Sequence, residues 1–386
     1  MKKLIILIVF LFTFSACYAA PQYHKKNIFL EPVYDADGEM VLLLNSQIKL
    51  VTVEEDKMQE MTETAYEMIS RYHKLLDAHH YYDDDGNIIN NLKVINDSYG
   101  SEEAIEVDED LIEALKESFI LARLTRGYFN PSIGALSELW RPLFSNKRTV
   151  DPSAEDIEKA KACMIDPEAL EEVIEIDEDN DTLIFHRVES CEGSVSIDLG
   201  AFVKGYVLDK AYEELKEYES SFLLDGGSSS IITYIADGQK IDWNIGVRKP
   251  DGDDALFAFE GNDIAVSTSG DDERFFLTEI DGKTLRRHHI LDPFTGYSEN
   301  YYRGITLIAD DNAGVLDALS TALFNIEDID EQQGIIKDIS DHYHMDIRRC
   351  LILEKDGKLS LIVDKGFDAL FLPEYEAMVI NKMILD

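Results

Sequence analysis

Short β-rich runs and amphipathic helices share this chain without a strict strand–helix–strand alternation, and that mixture constrains the fold more than any other feature of the 386 residues. Between Glu54 and His79 the apolar residues Met58, Met61, Ala65, Met68, Ile69, Tyr72, Leu75 and Leu76 recur at spacings of three and four, which predicts a helix with one apolar face. A second helix is predicted from Asp108 to Arg126, with Gly127 as its stop. A third follows Leu199, with Val203, Val207, Ala211 and Leu215 along one stripe, and a fourth covers Asn312 to Phe324. Strand-type runs lie at Ser194 to Ile197, Phe222 to Leu224, Ser230 to Ile235, Trp243 to Arg248, Ile264 to Thr268, Arg274 to Thr278, Gly304 to Ala309, Leu351 to Leu353 and Leu359 to Val363. This pattern predicts an α+β fold, a single large domain over 27–370 with a mixed, largely antiparallel sheet and packed helices, followed by a C-terminal segment, 371–386. No Pro-rich or Gly/Ser-rich linker divides it.

At 45% hydrophobic residues the chain can bury a core, which excludes wholesale disorder although Lys+Arg 36 against Asp+Glu 77 leaves a net charge of −41. So acidic a surface repels phosphate backbones. The longest basic cluster, Arg286-Arg287-His288-His289, is too short to track a polynucleotide, so nucleic acid is excluded as a partner.

Lys2 and Lys3 precede an apolar run from Leu4 to Phe14, the length of a signal-peptide core and well short of the ~20 residues that span a bilayer. Residues 1–19 are therefore read as a lipoprotein-type export signal. Phe14-Ser15-Ala16-Cys17 resembles the bacterial lipoprotein cleavage box, with Phe14 where Leu or Val is usual; cleavage near Ala19 or Ala20 without lipid is the alternative. Cys163, Cys191 and Cys350 are odd in number and widely spaced, and are read as buried free thiols.

Three stretches carry candidate chemistry. Ser196 to Tyr206 is predicted to run from a strand ending at Asp198, through the small residues Gly200 and Ala201, into a helix opening with Lys204, so that N–H donors, the helix dipole and an ammonium face one anionic ligand. In Asp317-Ala318-Leu319-Ser320-Thr321, the carboxylate and the hydroxyl lie one helical turn apart and are hard oxygen ligands suited to magnesium. Arg287 to Gly296 runs into a Pro- and Gly-punctuated turn, placing His289 where an imidazole can accept a proton near neutral pH. Each of these also occurs as ordinary turn or helix chemistry when taken singly.

Together, and in this order, they resemble the FAD:protein FMN transferase (ApbE) family. Its members carry a D-[IL]-G-[GA]-x-[AV]-K-G-Y turn, a G-G strand end, [TS]-S-G-[DN]-x-x-R-[FY], H-x-[IL]-D-P-x-T-G and D-A-[LY]-[SA]-T. The matches are Asp198 to Tyr206, Gly226-Gly227, Thr268 to Phe275, His289 to Gly296, and Asp317 to Thr321; upstream, Gly127 to Leu136 with Trp140 looks like G-x-F-[DN]-P-[ST]-x-G-x-L-x-x-x-W. The similarity covers roughly 60–330. Phe202 and Val203 stand where Ile and Ala are common, and His79 stands where the family has a tyrosine.

The resemblance implies an ApbE-like, T-fold-type core and magnesium-dependent transfer of the FMN half of FAD to a Thr or Ser hydroxyl of an exported or membrane-bound redox protein, releasing AMP. It implies that Asp317, Thr321 and the carbonyl of Ala201 hold Mg²⁺, that Lys204 faces the phosphates, and that Asp198 holds FAD. His289 would be the base or a phosphate contact. Tyr128, Phe129 and Asn130 would line the adenine or flavin pocket, with His79 and Gly227 as further FAD contacts. A lipid at Cys17 would tether the enzyme outside the cytoplasm, beside membrane-bound acceptors. An FAD diphosphatase giving FMN and AMP, or a non-catalytic FAD-binding lipoprotein, would use the same pocket.

Overall fold

The computed structural model describes residues 25–145, 149–227, 229–280, 282–368, 370–372 and 382–385. The segment expected to be an export signal, 1–19 with Cys17, lies outside the described residues, as does most of the 371–386 segment.

The architecture is organised by a nine-stranded sheet whose strands lie in chain order: β1 (Lys26–Phe29), β2 (Lys49–Thr52), β3 (Phe222–Asp225), β4 (Ser230–Tyr234), β5 (Ala265–Gly270), β6 (Gly304–Ala309), β7 (Arg348–Lys355), β8 (Lys358–Asp364) and β9 (Lys382–Leu385). Every pair is antiparallel except the last. Among the described residues, six helices of twelve residues or more frame the site and core: α1 (Met58–Leu76), α2 (Glu109–Leu124), α3 (Gly134–Ser145), α4 (Val203–Lys216), α5 (Ala313–Phe324) and α6 (Ile329–Tyr343), α5 lying directly on β5 and β6. The interior strand β6 is buried along its whole length because both faces are covered. Ile305 and Leu307 join the helical core, whereas Ile308, Val266 of β5 and Ile352 of β7 join a second core beneath the hairpin of Asn244–Arg248 and Ala255–Glu260. The period-two alternation of the sequence thus serves two apolar layers.

The α+β expectation holds, and the four predicted helices form within a few residues of their expected ends. Gly127 takes φ +85° just past α2, the left-handed conformation that closes a helix at little cost. Other expectations are revised. Ser194 to Ile197 joins no ladder, because its neighbourhood is bonded otherwise: Asn96 donates to the Ile197 carbonyl (2.9 Å) and accepts its N–H (2.7 Å), and the Gly134 N–H donates to the Ser196 carbonyl. The runs at 243–248 and 274–278 become strands of separate hairpins rather than of the main sheet. Cys163 and Cys191 are not free thiols but a disulfide across 28 residues; among the described cysteines Cys350 is the buried free thiol, its pKa pushed up by burial.

α4 and α5 approach so closely that neither can carry a side chain at the crossing. A Cβ on Gly205 would lie 2.2 Å from the backbone of Ala313, and one on Gly314 would lie 2.8 Å from Tyr206 N. Backbone cannot yield as a side-chain tip can, so Gly205→Ala is expected to cost at least the ~1–3 kcal/mol typical of overpacking. Gly334→Ala in α6, where the nearest atom is the mobile end of Arg126, should be neutral or slightly stabilising. Thermal unfolding of the two variants checks the contrast.

Candidate active site

A cavity of about 990 Å³ opens where the α4 N-terminus, the α5 face and the ends of β4, β5 and β6 converge. Such a volume suits a dinucleotide-sized ligand. Its lining holds His79, Tyr128, Phe129, Asn130, Asp198, Ala201, Lys204, His289, Asp317 and Thr321. Gly227 lies just outside, in a neighbouring hollow.

Asp317 is the electrostatic centre. Its Oδ2 accepts the Gly205 N–H (2.7 Å), and the Ser230 hydroxyl bonds the same carboxylate at 2.7–2.9 Å. Among the described residues no cation lies within ion-pair distance of it, and burial raises its pKa. The α4 N-terminus therefore spends a donor on Asp317 rather than offering every N–H to a ligand. A buried carboxylate left without a cation, with the Thr321 hydroxyl one turn on, fits a hard divalent ion.

Lys204 also points into the cavity, and burial lowers its pKa while the Asp317 charge raises it. His289 completes the group. Its Nδ1 is buried and has no hydrogen-bond partner, and burial, then the charge of Arg274, hold its pKa well below the ordinary histidine value. The imidazole is thus neutral. His288 does not face the cavity; it packs edge-on against Phe324, with Nε2 donating to the Glu299 carbonyl (2.7 Å).

The other end of the cavity is built from two crossing segments. Asn130 Oδ1 accepts from Ser132 N and Oγ while its Nδ2 donates to the Ile165 carbonyl (2.9 Å), and the Asp198 N–H donates to the Pro131 carbonyl (2.8 Å). Asn130 thus fixes the turn that carries Tyr128 and Phe129. The Cys163–Cys191 bridge lies two residues from Ile165 and staples the same wall. Asp198 turns one oxygen to the Gly200 N–H (2.8 Å), and Tyr128 meets the Phe294 ring edge-on at 4.9 Å. His79 contacts Arg141, whose Nη1 lies 3.2 Å from Nδ1.

The lining carries five basic residues (Arg141, Lys204, Arg248, Arg274, Arg303) against five acidic ones (Asp77, Asp198, Asp272, Glu273, Asp317). On a chain of net charge −41 that balance makes the cavity the region that tolerates an anion.

Among the lining residues the sequence reading missed are Leu44, Asn45 and Ser46, which close one side of the cavity. Leu44 and Asn45 sit at φ 51° and 54°, a left-handed pair held by a directed chain. The Leu44 N–H donates to His73 Nδ1 (3.3 Å), which leaves the His73 proton on Nε2 to donate to Tyr82 Oη (3.0 Å), and Tyr82 donates to Asp77 Oδ2 (2.8 Å). Asn45 alone was a signal, since Asn tolerates this conformation; a left-handed Leu has no sequence signature.

Fold and cavity together define a protein that presents a buried carboxylate, an ammonium and a neutral imidazole to one large, anion-tolerant pocket. The model of the ApbE family matches residues 44–342, and the chain belongs to that family. It is 30% identical over 243 residues to an FAD:protein FMN transferase of Treponema pallidum, covering 60% of this chain and 64% of that protein. A Klebsiella pneumoniae protein of the same name is 33% identical over 203 residues, covering 51% and 56% respectively. The alignments thus span less than two thirds of these relatives' own length. The crystal structure of an ApbE protein from Thermotoga maritima superposes with a TM-score of 0.68 at 28% identity, covering 90% of this chain and 99% of that one. The apo flavinyl transferase ApbE of Pseudomonas stutzeri (TM-score 0.65, 20% identity, 91% and 98% covered) shares the fold.

Proposed function

We propose that this chain transfers the FMN half of FAD to a Thr or Ser hydroxyl of an acceptor protein. The observation that carries the reading is the convergence of Asp317, Lys204 and His289 on one cavity in a chain of the ApbE family. The acceptor oxygen attacks the phosphorus of the FMN phosphate, the bond from that phosphorus to the AMP oxygen breaks, and AMP leaves. Such a transfer needs charge neutralisation and positioning more than covalent help. A magnesium ion held by Asp317, Thr321 and the Ala201 carbonyl would neutralise charge on the pyrophosphate. Lys204 supplies a second cation there, His289 accepts the hydroxyl proton, and the Tyr128–Asn130 turn holds the aromatic ends of the dinucleotide. His79, where the family has a tyrosine, faces the same ligand.

Export from the cytoplasm, with a lipid on Cys17 anchoring the chain to the cell membrane, belongs to the same proposal. The Cys163–Cys191 bridge supports it, since disulfides persist in oxidising compartments. Incubation with FAD and Mg²⁺, with and without an acceptor, tests the reaction through AMP release and gel-retained flavin fluorescence. AMP without protein-bound flavin would make the chain a diphosphatase, and neither product would make it a flavin-binding protein.

A further inference from the structure

Beside the cavity lies a second hollow of about 460 Å³, and the two share Asn45 and Ser46. Its floor is a cross-strand row: Phe29 of β1 pairs with Lys49 of β2, which pairs with Asp225 of β3, and all three line it. Lys49 and Asp225 form an ion pair at 2.9 Å. The rim is Leu42 with the polar Asn45, Ser46 and Gln47.

Three features point to an occupant. Phe29 and Leu42 are 54% and 48% exposed, and Met40 (61%), two residues before Leu42, and its cross-strand partner Tyr34 (64%) are exposed as well. β1 is the edge of the nine-stranded sheet and, among the described residues, pairs with β2 alone, so it offers an unpaired backbone edge. The hollow also backs onto the phosphate end of the cavity: Gly227, in its lining, follows β3, and Ser230, which opens β4, bonds the Asp317 carboxylate. Gly227 has φ +87°, and a Cβ there would lie 2.4 Å from Ser46, so glycine is what lets the two walls meet.

We propose that this hollow is the docking site for the hydroxyl-bearing segment of the acceptor polypeptide, an extended stretch lying along β1 with an apolar side chain between Phe29 and Leu42. An edge strand beside a pocket recognises polypeptide by backbone pairing plus side-chain insertion. The amide and hydroxyl groups of Asn45, Ser46 and Gln47 suit its peptide groups, and the shared wall delivers its hydroxyl to the side of the cavity where Asp317 lies. The proposal rests on the transferase reading.

The test uses the full chain with FAD, Mg²⁺ and short synthetic peptides, each carrying one central threonine in otherwise randomised sequence. Flavin-labelled peptide is measured by mass spectrometry, AMP release without peptide by chromatography, and FAD binding by flavin fluorescence. Phe29→Glu and Leu42→Glu should lower peptide labelling at least tenfold while FAD binding and peptide-free AMP release stay within twofold of wild type. Ile384→Glu, an equally exposed site on the far edge strand β9, should change none of these. Wild-type labelling by both hollow variants, as when residues 1–24 or nothing at all fill the hollow, overturns the docking site, and so does a parallel loss of FAD binding. AMP release by wild type with no labelled peptide overturns the transferase reading and the docking site with it.

Discussion

Asp317→Asn should reduce FAD turnover in Mg²⁺ about 10³-fold while leaving the fold intact. Lewis-acid stabilisation by a bound cation is worth several kcal/mol, and 1.36 kcal/mol is a factor of ten in rate. The substitution fits its surroundings: an Asn carbonyl in the Oδ2 position can still accept the Gly205 N–H, and its NH₂ can donate to Ser230 Oγ. What disappears is a buried carboxylate with no cation within ion-pair distance among the described residues. Burial raises the Asp317 pKa, so its contribution to stability is fully present below the ordinary carboxylate range near 3.9 and is lost as pH rises through the raised value. At pH 7 without metal the wild type therefore bears the cost of that charge, and the Asn variant should melt no lower than wild type. Mg²⁺ should raise the wild-type melting temperature and leave the variant's unchanged. The wild-type magnesium affinity should weaken as pH falls, because protons compete for the same oxygens. Thermal unfolding with and without Mg²⁺, alongside AMP release, checks each point, and a variant that keeps turnover at saturating Mg²⁺ would remove Asp317 from the ligand set.

Much of this site was legible because its residues sit in short, contiguous stretches. Asp198 to Lys204, His289 to Gly296 and Asp317 to Thr321 each carry a turn or helix whose periodicity survives in the sequence, and the fold only has to bring them together. The wall formed by Leu44, Asn45 and Ser46 was illegible for the opposite reason. Its shape depends on His73 of α1 and on Tyr82, 29 and 38 residues downstream of Leu44, and no local pattern encodes that chain. The same distinction explains Ser194 to Ile197. Its apolar alternation reads as a strand, but Asn96, about a hundred residues away, satisfies its backbone instead of a neighbouring ladder. The disulfide was misread because an odd cysteine count over wide spacings says nothing about which two thiols meet. β1, β2, α3 and α6 also escaped: the two strands are only four residues long, α3 carries Pro142 inside it, and Gly334 interrupts the apolar spacing of Ile329, Ile335, Ile336 and Ile339 in α6.

His289→Asn should depress flavin transfer about 10²- to 10⁴-fold while FAD still binds, the range that a positioned proton acceptor contributes. In the free protein the imidazole is a poor base, because burial and the positive charges of Arg274 and Lys204 hold its pKa well below the ordinary value. A pyrophosphate placed beside Lys204 and Arg274 neutralises those cations and lets the pKa climb back toward the usual 6.5. The substrate therefore makes its own base competent. The sign of the consequence is fixed: the acidic limb of kcat, which reports the FAD complex, should lie at higher pH than the acidic limb of kcat/KM, which reports the free enzyme. In His289→Asn the limb in kcat should vanish. The neighbouring His288→Asn should lose stability through its contacts with Phe324 and the Glu299 carbonyl, yet keep transfer near the wild-type rate and keep the separation of the two limbs. Coincident limbs in the wild type would mean that bound substrate does not tune this imidazole. An unaltered rate in the His289 variant would show that the hydroxyl proton leaves by another group, with the Asp317 carboxylate an alternative on the cavity wall.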